Sequence, residues 1–164
     1  MVAAAAILVL VVCLVAAAAS DLAKYRIPNS LCLGVAASFL LYAAAVPLPL
    51  AVVGTRLAVC LAVLVVASVG FGLRLMGGGD AKLMAAVALW LGWRYLAPFL
   101  LLMAIFGGVL GLALLLARRL MPQPVPDGHW WSKLLLRQSG VPYGVAISLA
   151  AIVILARFRG ELLP

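Results

Sequence analysis

Two carboxyl side chains, Asp21 and Asp80, are the only acids ahead of Asp127 in a chain of 164 residues that is 68% hydrophobic. Each stands where an apolar run meets a short polar loop, and Asp80 follows directly on Gly77-Gly78-Gly79. A carboxylate in lipid is expensive, about 2.5–3.5 kcal/mol for Asp at a helix centre on insertion scales, so two of them in an acid-poor chain suggest a shared task. Carboxyls held close together cannot both ionise easily; one keeps a proton while the other stays charged. The charged partner can act as general base on water and the protonated one can donate to a carbonyl. That is the chemistry of aspartic peptide hydrolysis, and it calls for no metal or cofactor. The glycines suit such a site, because they tolerate positive φ and let another backbone approach, and an extended peptide needs backbone partners. Taken singly, each aspartate has a plainer reading. Asp80 is placed to cap the helix it begins, and Asp21 could pair with Lys24 or Arg26 at the lipid surface, where such pairs are worth little.

The rest of the chain must hold these residues at a membrane. Mean hydropathy is +1.30 and only 10% of residues are charged, too little polar surface for a soluble domain of this length. The composition predicts an all-α polytopic membrane protein, with lipid as its main partner. The net charge of +8 does not point to nucleic acid, because Lys and Arg are spread over the loops rather than gathered in one stripe. Cys13, Cys32 and Cys60 are odd in number, far apart and inside apolar runs, which reads as packing rather than as a zinc or redox site. Ala17-Ala18-Ala19 resembles a signal-peptide cleavage site. No Lys or Arg precedes that first apolar run, however, and the run is long, so it reads as a retained membrane helix.

Apolar runs divided by charged or Pro/Gly punctuation predict about six spans, over residues 2–20, 30–46, 51–73, 81–97, 98–117 and 141–157, each near the ~20 residues that cross a bilayer. Trp93, Arg94, Tyr95 and Pro98 mark the turn expected between the fourth and fifth, and Pro47 and Pro49 the turn between the second and third. With six spans, Lys24, Arg26, Arg74, Lys82, Arg118, Arg119, Lys133 and Arg137 fall on one side, and Arg56, Arg94, Arg157 and Arg159 on the other. The richer side is the cytoplasmic one. Both termini are then outside, and Asp21 and Asp80 lie together on the cytoplasmic side. In the polar stretch 118–140, Pro122, Pro124 and Pro126 forbid a continuous helix at its start. Trp130, Trp131 and Leu134-Leu135-Leu136, with Lys133 and Arg137, read as an amphipathic element lying in the interface. Asp127 and His129 are too sparse for a metal site. No repeat is visible, and residues 1–164 are expected to form a single transmembrane domain.

Three segments carry a family resemblance. Asp21 to Asn29, ending Ile27-Pro28-Asn29, resembles the D-x-x-x-x-x-I-P-N segment of type IV prepilin peptidases. Gly77-Gly78-Gly79-Asp80-Ala81-Lys82-Leu83 resembles their G-x-G-D-x-K-[LM] segment, and Pro142-Tyr143-Gly144-Val145-Ala146 the P-Y-G-x-A element that opens their last helix. G-x-G-D alone is weakly specific, but the three in this order are strongly so. In its length, and in lacking an N-terminal domain with paired Cys motifs, the chain looks most like the short Tad/Cpa-type members that mature Flp-class pilins.

The resemblance implies a membrane-embedded aspartic endopeptidase of the inner (cytoplasmic) membrane, which removes the basic leader of a prepilin or pseudopilin after a glycine. Asp21 and Asp80 match the two catalytic aspartates, and Gly77, Gly78 and Gly79 would meet the substrate backbone. Family substrates continue after the cut as a hydrophobic helix, usually with a glutamate a few residues in. Lys24, Arg26 and Lys82 are candidates to attract it, although the same lysines and arginine also serve the topology signal. Pro28 is expected to break the chain, with Asn29 or Ser30 as N-cap of the second span, and Pro142 and Tyr143 to set the last helix against the site. Larger members also methylate the new N-terminus with S-adenosylmethionine. Nothing in this sequence reads as a methyl-donor site, so peptidase activity alone is expected. A second class of function is a scaffold or transporter subunit that uses the aspartates as an ion or proton relay, which calls for carboxyls deep inside spans. Presenilin-like G-x-G-D proteases are a further alternative, but they carry a Tyr-Asp pair where this chain has Ser20-Asp21.

Overall fold

The structure, a computed structural model, describes residues 1–120, 140–158 and 160. The readings of Asp127, His129, Trp130, Trp131 and the leucines beside them lie outside the described residues. Among the described residues every element is helical: α1 (Val2–Lys24), α2 (Asn29–Ala45), α3 (Leu50–Gly72), α4 (Gly78–Leu120) and α5 (Tyr143–Arg157). The helices α1, α3 and α4 are long and apolar enough to cross a membrane, and α2 and α5 are shorter apolar helices. Their outer faces are as oily as their inner ones, with Leu8 and Val12 on α1, Leu33 on α2, Val65 and Val69 on α3, and Leu101 and Val109 on α4 all exposed. Helices apolar on every side have lipid, not water, as their solvent. The chain is an all-helical membrane protein.

The turn expected at Trp93–Pro98 sits slightly earlier. α4 consists of two limbs, residues 78–91 and 93–120, joined at Gly92 with φ 65° and ψ −172°, a conformation open almost only to glycine. Trp93, Arg94, Tyr95 and Pro98 are themselves helical. Pro98 falls in the second turn of the new limb, where its missing N–H forfeits one backbone bond without ending the helix. A straight helix would hold Gly79 and Gly107 about 42 Å apart at 1.5 Å per residue. Instead Gly79 packs on Ile27, Ile27 on Gly144, and the neighbouring Tyr143 on Gly107, so the second limb turns back beside the first. Among the described residues this makes six apolar helical segments. At the joint, Arg56 of α3 donates to the Trp90 carbonyl, one of those that the break leaves without a helical partner, and its guanidinium lies 5.6 Å from the centre of the Phe39 ring.

The first limb of α4 is the axis of the bundle. Residues 83–92 are buried without interruption, and α2, α3 and α5 all pack on α4. Trp90 fixes its rotation: Nε1 donates to the Val35 carbonyl at 3.0 Å and to Ser38 Oγ at 3.3 Å, while Phe39 meets the indole edge-on at 5.7 Å. α1 closes on α2 where Gly34 faces Cys13, so tightly that a Cβ there would stand 2.7 Å from the Cys13 sulfur. Cys13, Cys32 and Cys60 are all free thiols within the packing.

Candidate active site

Asp21 occupies the last turn of α1 and is buried. The helix ends at once, because Tyr25 adopts the left-handed conformation at φ 52° and ψ 33° and its N–H returns to the Asp21 carbonyl. Ser20 Oγ braces the exit by donating to the Arg26 carbonyl at 2.8 Å, and Pro28 biases Ile27 towards an extended backbone. The carboxylate of Asp21 meets the far end of the chain, where the Gly144 N–H donates to its Oδ2 at 2.7 Å. Gly144 lies in the first turn of α5, whose unpaired N–H groups and positive dipole end suit an anion.

Asp80 is held differently. Gly77 is the N-cap of α4, its carbonyl accepting from the Ala81 N–H at 3.1 Å, and the Gly77 N–H donates to Asp80 Oδ2 at 3.3 Å. This is the reciprocal half of a capping box, in which a side chain three residues in reaches back to the cap. The plainer reading of Asp80 as a helix-capping residue is therefore right in geometry. Asp80 faces the same cavity as Asp21, about 530 Å³ in volume, lined also by Lys24, Arg26, Asn29 and all three glycines. The Asp21 charge is close enough to act on Asp80. The two thus share one end of the bundle, as the charge pattern of the loops required.

Ile27 is the wedge that brings the two carboxyls to one cavity. A Cβ on Gly79 would lie 3.1 Å from the Ile27 Cβ, and one on Gly144 would lie 2.7 Å from its Cδ1. Gly79 thus makes room for Ile27 as well as facing the cavity, and Gly78 makes room for the Phe71 ring. Tyr143 seats its ring where Gly107 has no side chain, which docks the start of α5 on the second limb of α4. Neither Asn29 nor Ser30 caps α2. The cap position is Pro28, with no side-chain cap bond, and Asn29 Oδ1 instead accepts from Lys82 Nζ at 2.9 Å. Lys82 stands beside the cavity rather than in its lining. Among the described residues no three His, Cys, Asp or Glu side chains cluster as metal ligands. Sequence reasoning missed Gly144 and Ile27 as neighbours of the two aspartates. Their signal was present in the P-Y-G and I-P-N segments, but spacing alone does not say which backbone meets which carboxylate.

Fold and site together define a helical membrane protein with two carboxyls facing one cavity at one end of its bundle. The model of the type IV leader peptidase family matches residues 8–112, a range that includes both aspartate segments, and the chain belongs to that family. Prepilin leader peptidase/N-methyltransferases from Aeromonas salmonicida (strain A449) and Aeromonas hydrophila are each 43% identical to it over 56 residues, 34% of this chain and 19% of theirs. The match thus spans about a fifth of the length of these curated relatives. No solved structure matches the chain.

Proposed function

We propose that the protein is an aspartic endopeptidase of the inner membrane that cleaves the leader from Flp/Tad-type prepilins after a glycine, at the cytoplasmic face. The observation that carries this reading is the convergence of Asp21 and Asp80 on one open cavity, in a chain of the leader peptidase family. Asp21, with a short hydrogen bond from a helix N-terminus, is the anionic partner and general base. It takes a proton from water as the water oxygen bonds to the scissile carbonyl carbon. Asp80 carries the proton that neutralises the carbonyl oxygen. Collapse of the tetrahedral intermediate then breaks the C–N bond: the proton held by Asp21 leaves on the amine, and one hydroxyl of the gem-diol returns a proton to Asp80 as the carbonyl re-forms. Gly78, whose N–H lies in the first turn of α4 beyond the intrahelical ladder, offers backbone to the extended leader, while Lys24 and Arg26 raise the positive potential at the cavity. The relay alternative calls for carboxyls near the middle of spans, whereas both of these lie at helix ends. No methyl transfer is included, since the N-methyltransferase named for the relatives rests on a match to a fifth of their length.

The test is cleavage of a Flp-type prepilin by the purified protein in lipid vesicles, with the product N-terminus read by mass spectrometry. Release of a leader ending in glycine is expected from the wild type, and no release from Asp21→Asn or Asp80→Asn. Either variant cutting at the wild-type rate would end the dyad assignment.

A further inference from the structure

Beyond Phe99 the second limb of α4 turns most of its side chains outward. Leu101, Leu112, Leu115 and Leu116 are exposed, and of residues 100–120 only Gly107 and Arg118 are buried. An arginine at 7% exposure among exposed leucines inverts the usual order, because a guanidinium near a helix end ordinarily reaches out to water. Its neighbour Arg119, in the same last turn, is exposed, so it serves the helix dipole and the loop charge without burial. The buried guanidinium of Arg118 donates instead to the Gly140 carbonyl at 3.0 Å, 22 residues further along the chain.

Gly140 begins the short lead-in to α5, and that lead-in follows one face of the limb. Arg118 holds Gly140, a Cβ on Gly111 would lie 3.6 Å from Val141 Cγ2, and Gly107 seats the Tyr143 ring. Positions 107, 111 and 118 fall within about 40° of one another around a helix of 3.6 residues per turn. The lead-in has little slack. Pro142 has φ −74°, an angle its ring locks, and it restricts Val141 before it. The ladder of α5 opens with the Val145 N–H on the Pro142 carbonyl at 3.3 Å, which leaves the Gly144 N–H to the Asp21 carboxylate at 2.7 Å. A shift at Gly140 therefore reaches Gly144 through few free torsions. We propose that Arg118 is a positioning residue for the dyad, a latch on the lead-in to α5 that keeps the Gly144 N–H on Asp21. The proposal rests on the peptidase reading above.

The experiment measures cleavage of a Flp-type prepilin by the full chain in lipid vesicles, with rates taken per folded molecule. Arg118→Met keeps the apolar stem and should lower kcat roughly 10- to 100-fold, the upper figure being that of a misplacement of about 1 Å, with KM within about twofold of wild type. Arg119→Met removes a charge from the same turn and should stay within about twofold in both. In the Gly144→Ala background the loss from Arg118→Met should shrink to about threefold or less, because both changes act through one contact. Arg118→Met at wild-type kcat, an equal loss from Arg119→Met, or losses that multiply in the double variant would overturn the latch. Should Arg118→Met not fold, Arg118→Lys decides. It keeps the charge without the planar fork, so a kcat loss of about threefold or more at unchanged KM is expected, and wild-type kcat would overturn the proposal. In all those cases wild-type cleavage persists and the peptidase reading stands. If the wild type does not cut, the peptidase reading fails and the latch with it.

Discussion

The Asp21 carboxylate receives a 2.7 Å hydrogen bond from an N–H that is 123 residues away in the chain, whereas Asp80 receives a 3.3 Å bond from Gly77 in its own helical turn. Asp80 is therefore positioned by local chemistry, a glycine run and a half capping box, and keeps its place for as long as α4 starts where it does. Asp21 is positioned by tertiary structure and is correct only when α5 docks. The two carboxyls, though alike in type, differ in what can displace them. A site assembled from one local and one remote part is complete only in the folded bundle.

Removing either carboxyl should have the largest effect and erase this asymmetry. Asn retains an oxygen acceptor for the Gly144 or the Gly77 N–H, so Asp21→Asn and Asp80→Asn should both insert and fold. Each should lose about 10²–10⁴-fold or more in kcat, the scale of general acid–base catalysis. Comparing initial rates with thermal stability in detergent separates chemistry from folding. A large drop in stability for either variant would mean that the carboxylate serves mainly as a structural anchor.

The glycines that face the two carboxyls should reveal the asymmetry directly. A Cβ on Gly144 would stand 2.7 Å from Ile27 Cδ1 and 3.0 Å from Asp21 Cβ, and the latter cannot swing away without moving α1. A Cβ on Gly77 would meet the Asp80 Oδ2 at 2.9 Å, but that is the tip of a side chain, which can rotate. Overpacking of the first kind costs about 1–3 kcal/mol, so Gly144→Ala should lower kcat roughly 5- to 150-fold with little change in KM. Gly77→Ala should lose only about two- to fivefold, well under the full cost of overpacking. The comparison fails if Gly77→Ala is the more damaging of the two.

How much of this was legible in the sequence follows the same division. The glycine run, the aspartate that caps it and the break after Asp21 are local patterns, and the structure puts them where the residues said. The common face of the two aspartates was also legible, because a count of loop charges reports topology without any contact being known. The Gly144 bond, the Ile27 wedge and the seat of Tyr143 on Gly107 were not, since each depends on how α1, α4 and α5 pack. The joint of α4 was misplaced for a related reason. Pro98 and the aromatic residues looked like the turn, but a proline early in a limb is tolerated, while the backbone reverses at Gly92, where no side chain resists φ 65°.

The smallest effect on catalysis should come from the other end of the bundle, which serves as the control for the comparison. Arg56 binds the Trp90 carbonyl at the Gly92 joint and reaches neither carboxyl. Arg56→Met keeps much of the side-chain length and removes a charged hydrogen bond worth about 1.5–3 kcal/mol. The protein should become less stable by that order in thermal or denaturant titration, while kcat per folded molecule stays within about twofold of wild type. The reasoning is geometric. The joint sets where the second limb of α4 begins, but Tyr143 on Gly107 and Ile27 between Gly79 and Gly144 independently fix the ends that carry the site. A kcat loss as large as that of Gly144→Ala would show instead that strain at Gly92 travels along α4 to Asp80. The remote and local halves of the dyad would then share a single mechanical support.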